Sequence, residues 1–356
     1  MGKKTKLDRE IMTIEGDDLV ITSVYPIRVG FLPDMHCGAS RSICPDEFET
    51  KEETIIKPNK IQKYLRILWK RNIELFKKYA VQYILIVGDA FAGSNPAEAG
   101  AFISVIDKSD QVKMAAQLLQ EVWEVCDKKP IFLVWSGTPY HESRKGEADH
   151  HEELVERLKA LGITAKYMRD VAYVELFGGK DALTGMDRTR RLFIAHEAAT
   201  ALVYPATLLS RDINWSLESE ACHTTLPIDA IIRAHLHHTL HVDHSGKHAY
   251  QLPCWLAHTP YKATIKYFFK FQPSLGGAMM LMDEYGRLQF WGGSYPFGFT
   301  KDEYIKVHRL CVTNIGFNPK VPEKIVEYDK ISSPVVSPQE QSNKPKPKIK
   351  SEVLEP

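Results

Sequence analysis

Short, wholly apolar runs that recur between helical stretches constrain this chain more than any other feature. Residues 27–33 (IRVGFLP) form one such run, and it ends directly in Asp34, Met35 and His36. Residues 59–79 then carry Ile61, Tyr64, Leu65, Leu68, Ile73 and Phe76 at helical spacing, followed by the apolar run 83–87. The unit repeats as a helix near 111–127 with the run 130–135 (PIFLVW), then a helix near 149–161 with a short strand near 164–167. Apolar runs of this length between turn residues read as buried strands, and their alternation with helices predicts an α/β sheet with helices on both faces.

After residue 170 the pattern loosens. Strands are expected near 171–177, 191–195 and 229–233, with a helical stretch near 200–221 between the second and third. Shorter strands follow near 239–243, 248–255, 279–283 and 288–291, at spacings that suggest hairpins and meanders forming a second sheet against the first. Residues 331–356 hold five prolines, five serines and no aromatic residue, a composition that cannot bury enough surface to offset chain entropy. The expected organisation is an N-terminal extension over 1–22, one domain over 23–318 and a disordered tail over 319–356.

Composition excludes several classes. With 46 basic and 45 acidic residues the net charge is +1, too little for a broad grip on a polyanion, although a local basic groove stays open. No stretch approaches the ~18 uncharged apolar residues of a membrane span, and the start MGKKTKLDRE carries no apolar leader, so a cytoplasmic protein without a membrane partner is expected. The six cysteines contain no C-x-x-C pair and read as reduced, mostly buried thiols.

Five separated segments place acids and histidines where expected strands end: Asp34 to His36, Gly88-Asp89, Gly137 to His141, His196, and Ala234 to His237. Ligands in open α/β sheets collect beyond the carboxyl ends of the strands, so these chain-distant groups can converge. Carboxylate oxygens and imidazole nitrogens suit hard or borderline divalent metals, and a two-metal site needs a ligand able to bridge, for which Asp89 is the natural candidate. If the backbone is extended, Asp34 with His36 and His235 with His237 each point to one face. Closed structural zinc sites prefer cysteine sets, which disfavours that reading.

These blocks resemble the ordered signature of the calcineurin-like metallophosphoesterase superfamily, D-x-H, G-D, G-N-H-D/E, H and G-H-x-H. Here they read PDMH (33–36), VGDA (87–90), SGTPYHE (136–142), AHEA (195–198) and RAHLH (233–237). The resemblance implies a two-layered mixed β-sandwich flanked by helices, with two divalent ions (Mn, Fe, Zn, Ni or Co) at its edge. It implies that Asp34, His36 and His237 hold one ion, that His196 and His235 hold the other, and that Asp89 bridges them. It further implies hydrolysis of a phosphomonoester or phosphodiester by metal-activated hydroxide, with a nucleic acid or nucleotide among the substrates left open.

Two departures stand out. Ala234 replaces the usual glycine, which matters only if that backbone needs a positive φ. In the third block Thr138 occupies the asparagine position and His141 is displaced by two residues, a G-T-x-x-H form similar to phage and prophage members. Thr138 is then a weaker metal ligand, and His141 the group that contacts phosphate and protonates the leaving oxygen. The alternative is a non-catalytic interaction scaffold that kept this fold.

Other residues carry weaker readings. His241 would share a face with His237 and Asp243 if one strand ran through them, and would then stand behind the ligands or meet substrate; otherwise it is exposed on a hairpin. His150 and His151 read as solvated residues at a helix start, and Cys37 as a packed thiol. Arg41, Arg144 and Lys145 would attract phosphate. The aromatic residues Tyr261, Tyr267, Phe268, Phe269 and Phe271 could stack bases, with core packing the plainer reading.

Overall fold

Strand β6 (Tyr83–Val87) is buried along its whole length, and its alternate side chains enter two different cores. Ile84 and Ile86 pack among helices, whereas Tyr83, Leu85 and Val87 face a second sheet. Strand β7 (Ile131–Trp135) divides in the same way, with Phe132 and Val134 on the helix side and Ile131, Leu133 and Trp135 on the sheet side. Two-sided burial is why these strands read as unbroken apolar runs.

The computed structural model describes residues 11–13, 19–22, 26–94, 100, 102–127, 129–138, 150–180, 184–185, 187–196, 205–257 and 273–292. The segment expected to be a tail lies outside them, as do the aromatic residues 261–271, Arg144 and Lys145. The first sheet has β3 (Ile27–Phe31), β6, β7 and β8 (Ala165–Arg169) in parallel, and β14 (Ala278–Met282) and β15 (Leu288–Trp291) continue it antiparallel beyond β3.

The second sheet is mixed. Its order runs from β1 (Ile11–Thr13) and β2 (Leu19–Thr22) through β9 (Val171–Lys180), β10 (Asp187–Ala195), β11 (Ala230–Arg233) and β13 (Lys247–Gln251) to the edge strand β12 (Leu240–His244). Strands β10 and β11 run parallel, so both end at the same edge of the sheet. The stretch before residue 23 thus supplies two strands to this sheet. A two-stranded ribbon of β4 (Phe48–Glu49) and β5 (Ile55–Ile56) completes the set.

The expectation of helices on both faces of the first sheet is corrected. α1 (Lys60–Lys78), α2 (Lys108–Val125) and α3 (His150–Ala160) share one core on one face, and the second sheet covers the other. The alternating pattern reports that both faces are buried, and it is silent on what buries them. α4 (Pro205–Ala221) packs on the second sheet's outer face through Leu209 and Ile213, giving four layers.

Local chemistry sets the helices. Asn59 accepts from the N–H groups of Ile61 and Gln62 at 2.9 and 3.1 Å, and Gln62 Oε1 accepts from Asn59 N–H at 3.1 Å, a reciprocal cap at the start of α1. The buried Arg66 of α1 ties this helix to α2 by donating to Glu121 at 2.7 Å, and holds Asp46 at 3.2 Å. Asp107 caps α2 through Asp110 N–H at 3.1 Å. Among the described residues, no helix is long and apolar enough to cross a membrane. Cys37, Cys44, Cys126 and Cys254 are buried, and Cys222 is exposed.

The inter-sheet core should carry most of the stability. Leu85→Ala, at a site with no exposure, is expected to cost about 2–5 kcal/mol in urea unfolding. Ile67→Ala, on the 49% exposed face of α1, is expected to change stability by no more than about 0.5 kcal/mol.

Candidate metal centre

Strands β3, β6, β7, β10 and β11 direct their carboxyl ends to one edge of the sandwich, and every acid and histidine described there follows one of them. Backbone hydrogen bonds stitch the loops together. Asp34 N–H donates to Gly88 O at 3.3 Å and His36 N–H to Asp89 O at 2.9 Å, which couples the loop after β3 to the loop after β6. Ala234 N–H donates to His196 O at 3.2 Å, which couples the ends of β10 and β11. The result is two adjoining groups of donor atoms, Asp34 with His36 and His237, and Asp89 with His196 and His235.

The local backbone is not extended, which corrects the reasoning from alternation. Asp34, His36, Asp89, His235 and His237 have φ values of 48, 46, 43, 71 and 60°. Non-glycine residues in this left-handed region cost about 1–3 kcal/mol each, least for short polar side chains. The return is geometric: a chain that turns at these five donor residues delivers neighbouring side chains into one small volume. Because the backbone at His237 is left-handed and β12 starts only at Leu240, His237 and His241 do not lie on one strand. Ala234 has no positive φ; the strained residue is His235, so the missing glycine there carries no backbone penalty.

Two glycines are sterically required. Gly88 has φ 73°, and a Cβ on it would overlap the His196 ring. A Cβ on Gly137 would overlap both the backbone and the carboxylate of Asp89. Bare backbone at these points lets the ends of β6, β7 and β10 converge on one spot.

The donor atoms are arranged for cations. Asp34 Oδ2 accepts from His235 N–H at 3.1 Å, which fixes the carboxylate, while Oδ1 lies 3.2, 3.8 and 3.9 Å from Nε2 of His237, His36 and His196. Asp34 Oδ1 therefore faces histidines of both groups. His36 Nε2 and His237 Nε2 stand 3.2 Å apart. His196 Nδ1 lies 2.8 Å from Val87 O, so it must carry the proton and donate; Nε2 then directs a lone pair at Asp89 Oδ2, 3.0 Å away. Two lone pairs at that separation repel unless a proton or a metal ion lies between them. Asp34 Oδ1 and His196 Nε2 are moreover buried without a hydrogen bond. The residues thus fit a pair of divalent cations.

Without metal, protons take that role. Burial opposes a charge on His196, but the Asp89 and Asp34 carboxylates outweigh it and push its pKa up to about 10. Burial likewise opposes the charge of Asp34, and the imidazoles of His237 and His196 outweigh it, so its carboxyl lies well below the usual range.

Thr138 stands beside the second group, and both its backbone N–H and its hydroxyl donate to Asp89 Oδ1, at 2.8 and 3.1 Å. In this arrangement it orients Asp89. His141 lies outside the described residues. Cys37 is fully buried, and burial pushes its thiol well up. Arg41 is 7% exposed and stacks on Phe102 at 5.3 Å. The solvated reading of His151 is corrected: it is fully buried, 4.5 Å from the Phe91 ring, and its Nε2 accepts from Ala90 N–H at 3.4 Å, one residue beyond Asp89. The signal was in the spacing, since His151, Leu154, Val155 and Leu158 form the buried stripe of α3. His150 pairs with Glu153 at 3.3 Å.

Gly137→Ala should lower divalent metal affinity by at least about tenfold in equilibrium dialysis, because the new methyl displaces Asp89. The raised pKa of His196 stabilises the metal-free fold fully below pH 6.5, and that contribution is lost as pH rises through about 10. Melting midpoints of metal-stripped protein should fall across that window, and His196→Gln should flatten the fall. Metal affinity should run the opposite way, rising with pH as the proton leaves.

No family model and no curated protein matches the chain. Solved structures with a similar course include an archaeal phosphodiesterase, at 12% identity and TM-score 0.33 over 75% of this chain and 99% of that one. Wild-type Vps29 complexed with zinc from Entamoeba histolytica gives 9% identity and TM-score 0.32 over 74% of this chain and 97% of that one. A dimetal phosphatase from Danio rerio gives 11% identity and TM-score 0.33 over 76% and 97% of the two chains.

Proposed function

We propose that this protein is a metal-dependent phosphoesterase of the calcineurin-like, phage-related type, acting on a phosphomonoester or phosphodiester. The observation that supports it is the pair of adjoining donor groups, Asp34–His36–His237 and Asp89–His196–His235, in which buried lone pairs face one another. Two divalent ions held there would lower the pKa of water and neutralise charge on a phosphoryl group.

The chain's own residues prepare the rest. The Val87 carbonyl fixes the tautomer of His196 so that Nε2 presents its lone pair. His235 N–H and the two donors of Thr138 hold the carboxylates of Asp34 and Asp89 in place without consuming all their oxygen lone pairs. His141, two residues beyond the expected position, is assigned to contact phosphate and to deliver a proton to the leaving oxygen. Nucleotides or nucleic acid form the sharper substrate class, to be separated from simple monoesters by assay.

Metal-stripped protein reloaded with Mn²⁺ or Zn²⁺ is expected to hydrolyse a chromogenic mono- or diester, with the preferred ester separating phosphatase from phosphodiesterase. Asp89→Asn should reduce turnover by more than about 100-fold while leaving the circular dichroism spectrum unchanged. Undiminished activity would remove Asp89 from the mechanism, and absence of both metal uptake and turnover would favour an interaction scaffold.

A further inference from the structure

The hairpin of β12 and β13 carries nitrogen and oxygen donors that belong to neither group above. In its register Asp243 lies opposite His248 and His241 opposite Tyr250, so two-residue alternation places all four on one face. There His241 Nε2 and His248 Nδ1 stand 3.1 Å apart, with the rings 26° from parallel. Asp243 Oδ2 lies 3.9 Å from the same His248 nitrogen. The Phe290 ring, from the edge strand β15 of the other sheet, sits 5.3 Å from His241 and 5.6 Å from His248. His248 also lines a cavity of about 380 Å³ shared with Arg190, Asp229 and Arg287.

We infer that His241, His248 and Asp243 form a separate, open-sided site for a borderline divalent cation, Zn²⁺ being the natural choice for a two-imidazole, one-carboxylate set. Zinc–nitrogen bonds of about 2.0–2.1 Å at a tetrahedral angle put two ligating nitrogens about 3.3 Å apart. The 3.1 Å gap on the hairpin is close to that value, and close to the 3.2 Å between His36 and His237.

The electrostatics agree with the geometry. Burial, and then the neighbouring His248, lower the pKa of His241, which keeps it in the neutral form that can ligate. The carboxylate of Asp243 is 61% exposed and has room to close the remaining distance. Cations nearby do not oppose a metal unchecked, since Arg190 is paired with Asp229 at 3.5 Å and Arg287 with Asp283 at 2.7 Å. A fourth position stays open to water, as in zinc sites with three protein ligands. A bound ion would cross-link β12, the edge of its sheet, to β13. This inference does not depend on the catalytic reading.

The test uses the full metal-stripped chain with ¹⁵N-labelled histidine, titrated with Zn²⁺ and followed through its imidazole nitrogen resonances. His241→Gln and His248→Gln assign the two rings. Both ring signals are expected to move together on zinc binding, and the double variant should take up one equivalent less than the parent in equilibrium dialysis. Asp243→Asn should weaken that equivalent about tenfold. If the two signals stay still while zinc fills the strand-end centre, or if the folded double variant binds as much zinc as the parent, the pair is an ordinary imidazole hydrogen bond and the inference fails. The titration of the parent decides the matter even if the double variant does not fold.

Discussion

Two carboxylates without exposure to water, Asp34 and Asp89, impose the main condition on this structure. Removing such charges from water costs several kcal/mol each unless opposite charge and directed donors surround them. Here four imidazoles, the His235 N–H and the donors of Thr138 converge on them. Protons supply the compensating charge when metal is stripped, which is why His196 holds its proton so tightly. A pair of cations would supply it more fully, because each carboxylate and each imidazole lone pair would then meet positive charge directly.

That condition explains features which would otherwise look like defects. Five of the donor residues sit in the left-handed region, Gly88 leaves space for the His196 ring, and Gly137 leaves space for Asp89. Such strain persists only where the surroundings over-determine it. They do so here: the loops are stitched by backbone hydrogen bonds, and β6 and β7, which lead into two of them, are buried on both faces. The layered core and the strained rim form one device, with the rigid part holding the polar part in place.

The two histidine pairs whose ring nitrogens stand within 3.2 Å among the described residues differ in how they are supported. His36 and His237 lie under 10% exposed among other donors, at the end of a rigid core. His241 and His248 lie on an edge hairpin, braced by Phe290 and by the buried Tyr250, whose phenol burial pushes well up. A cation at the first place would be locked by packing, and one at the second would exchange with solvent more readily.

Much of this was legible in the residues alone. Doubly buried strands had to be apolar runs, helices had to show a three-to-four residue period, and polar groups at strand ends had to gather at one edge, so the elements and the donor residues could be read directly. Three things depended on tertiary structure. The pattern of β6 and β7 records that both faces are covered, and only packing decided that a sheet covers one of them. The spacing Asp-x-His suggested an extended backbone, and only the loop hydrogen bonds decided that the chain turns at Asp34 and His36. His151 could be placed on the buried stripe of α3 by its spacing, but its contact with Ala90 joins residues 61 positions apart. Sequence specifies which groups prefer water and which prefer metal; where their lone pairs point is set by contacts between segments that local pattern does not encode.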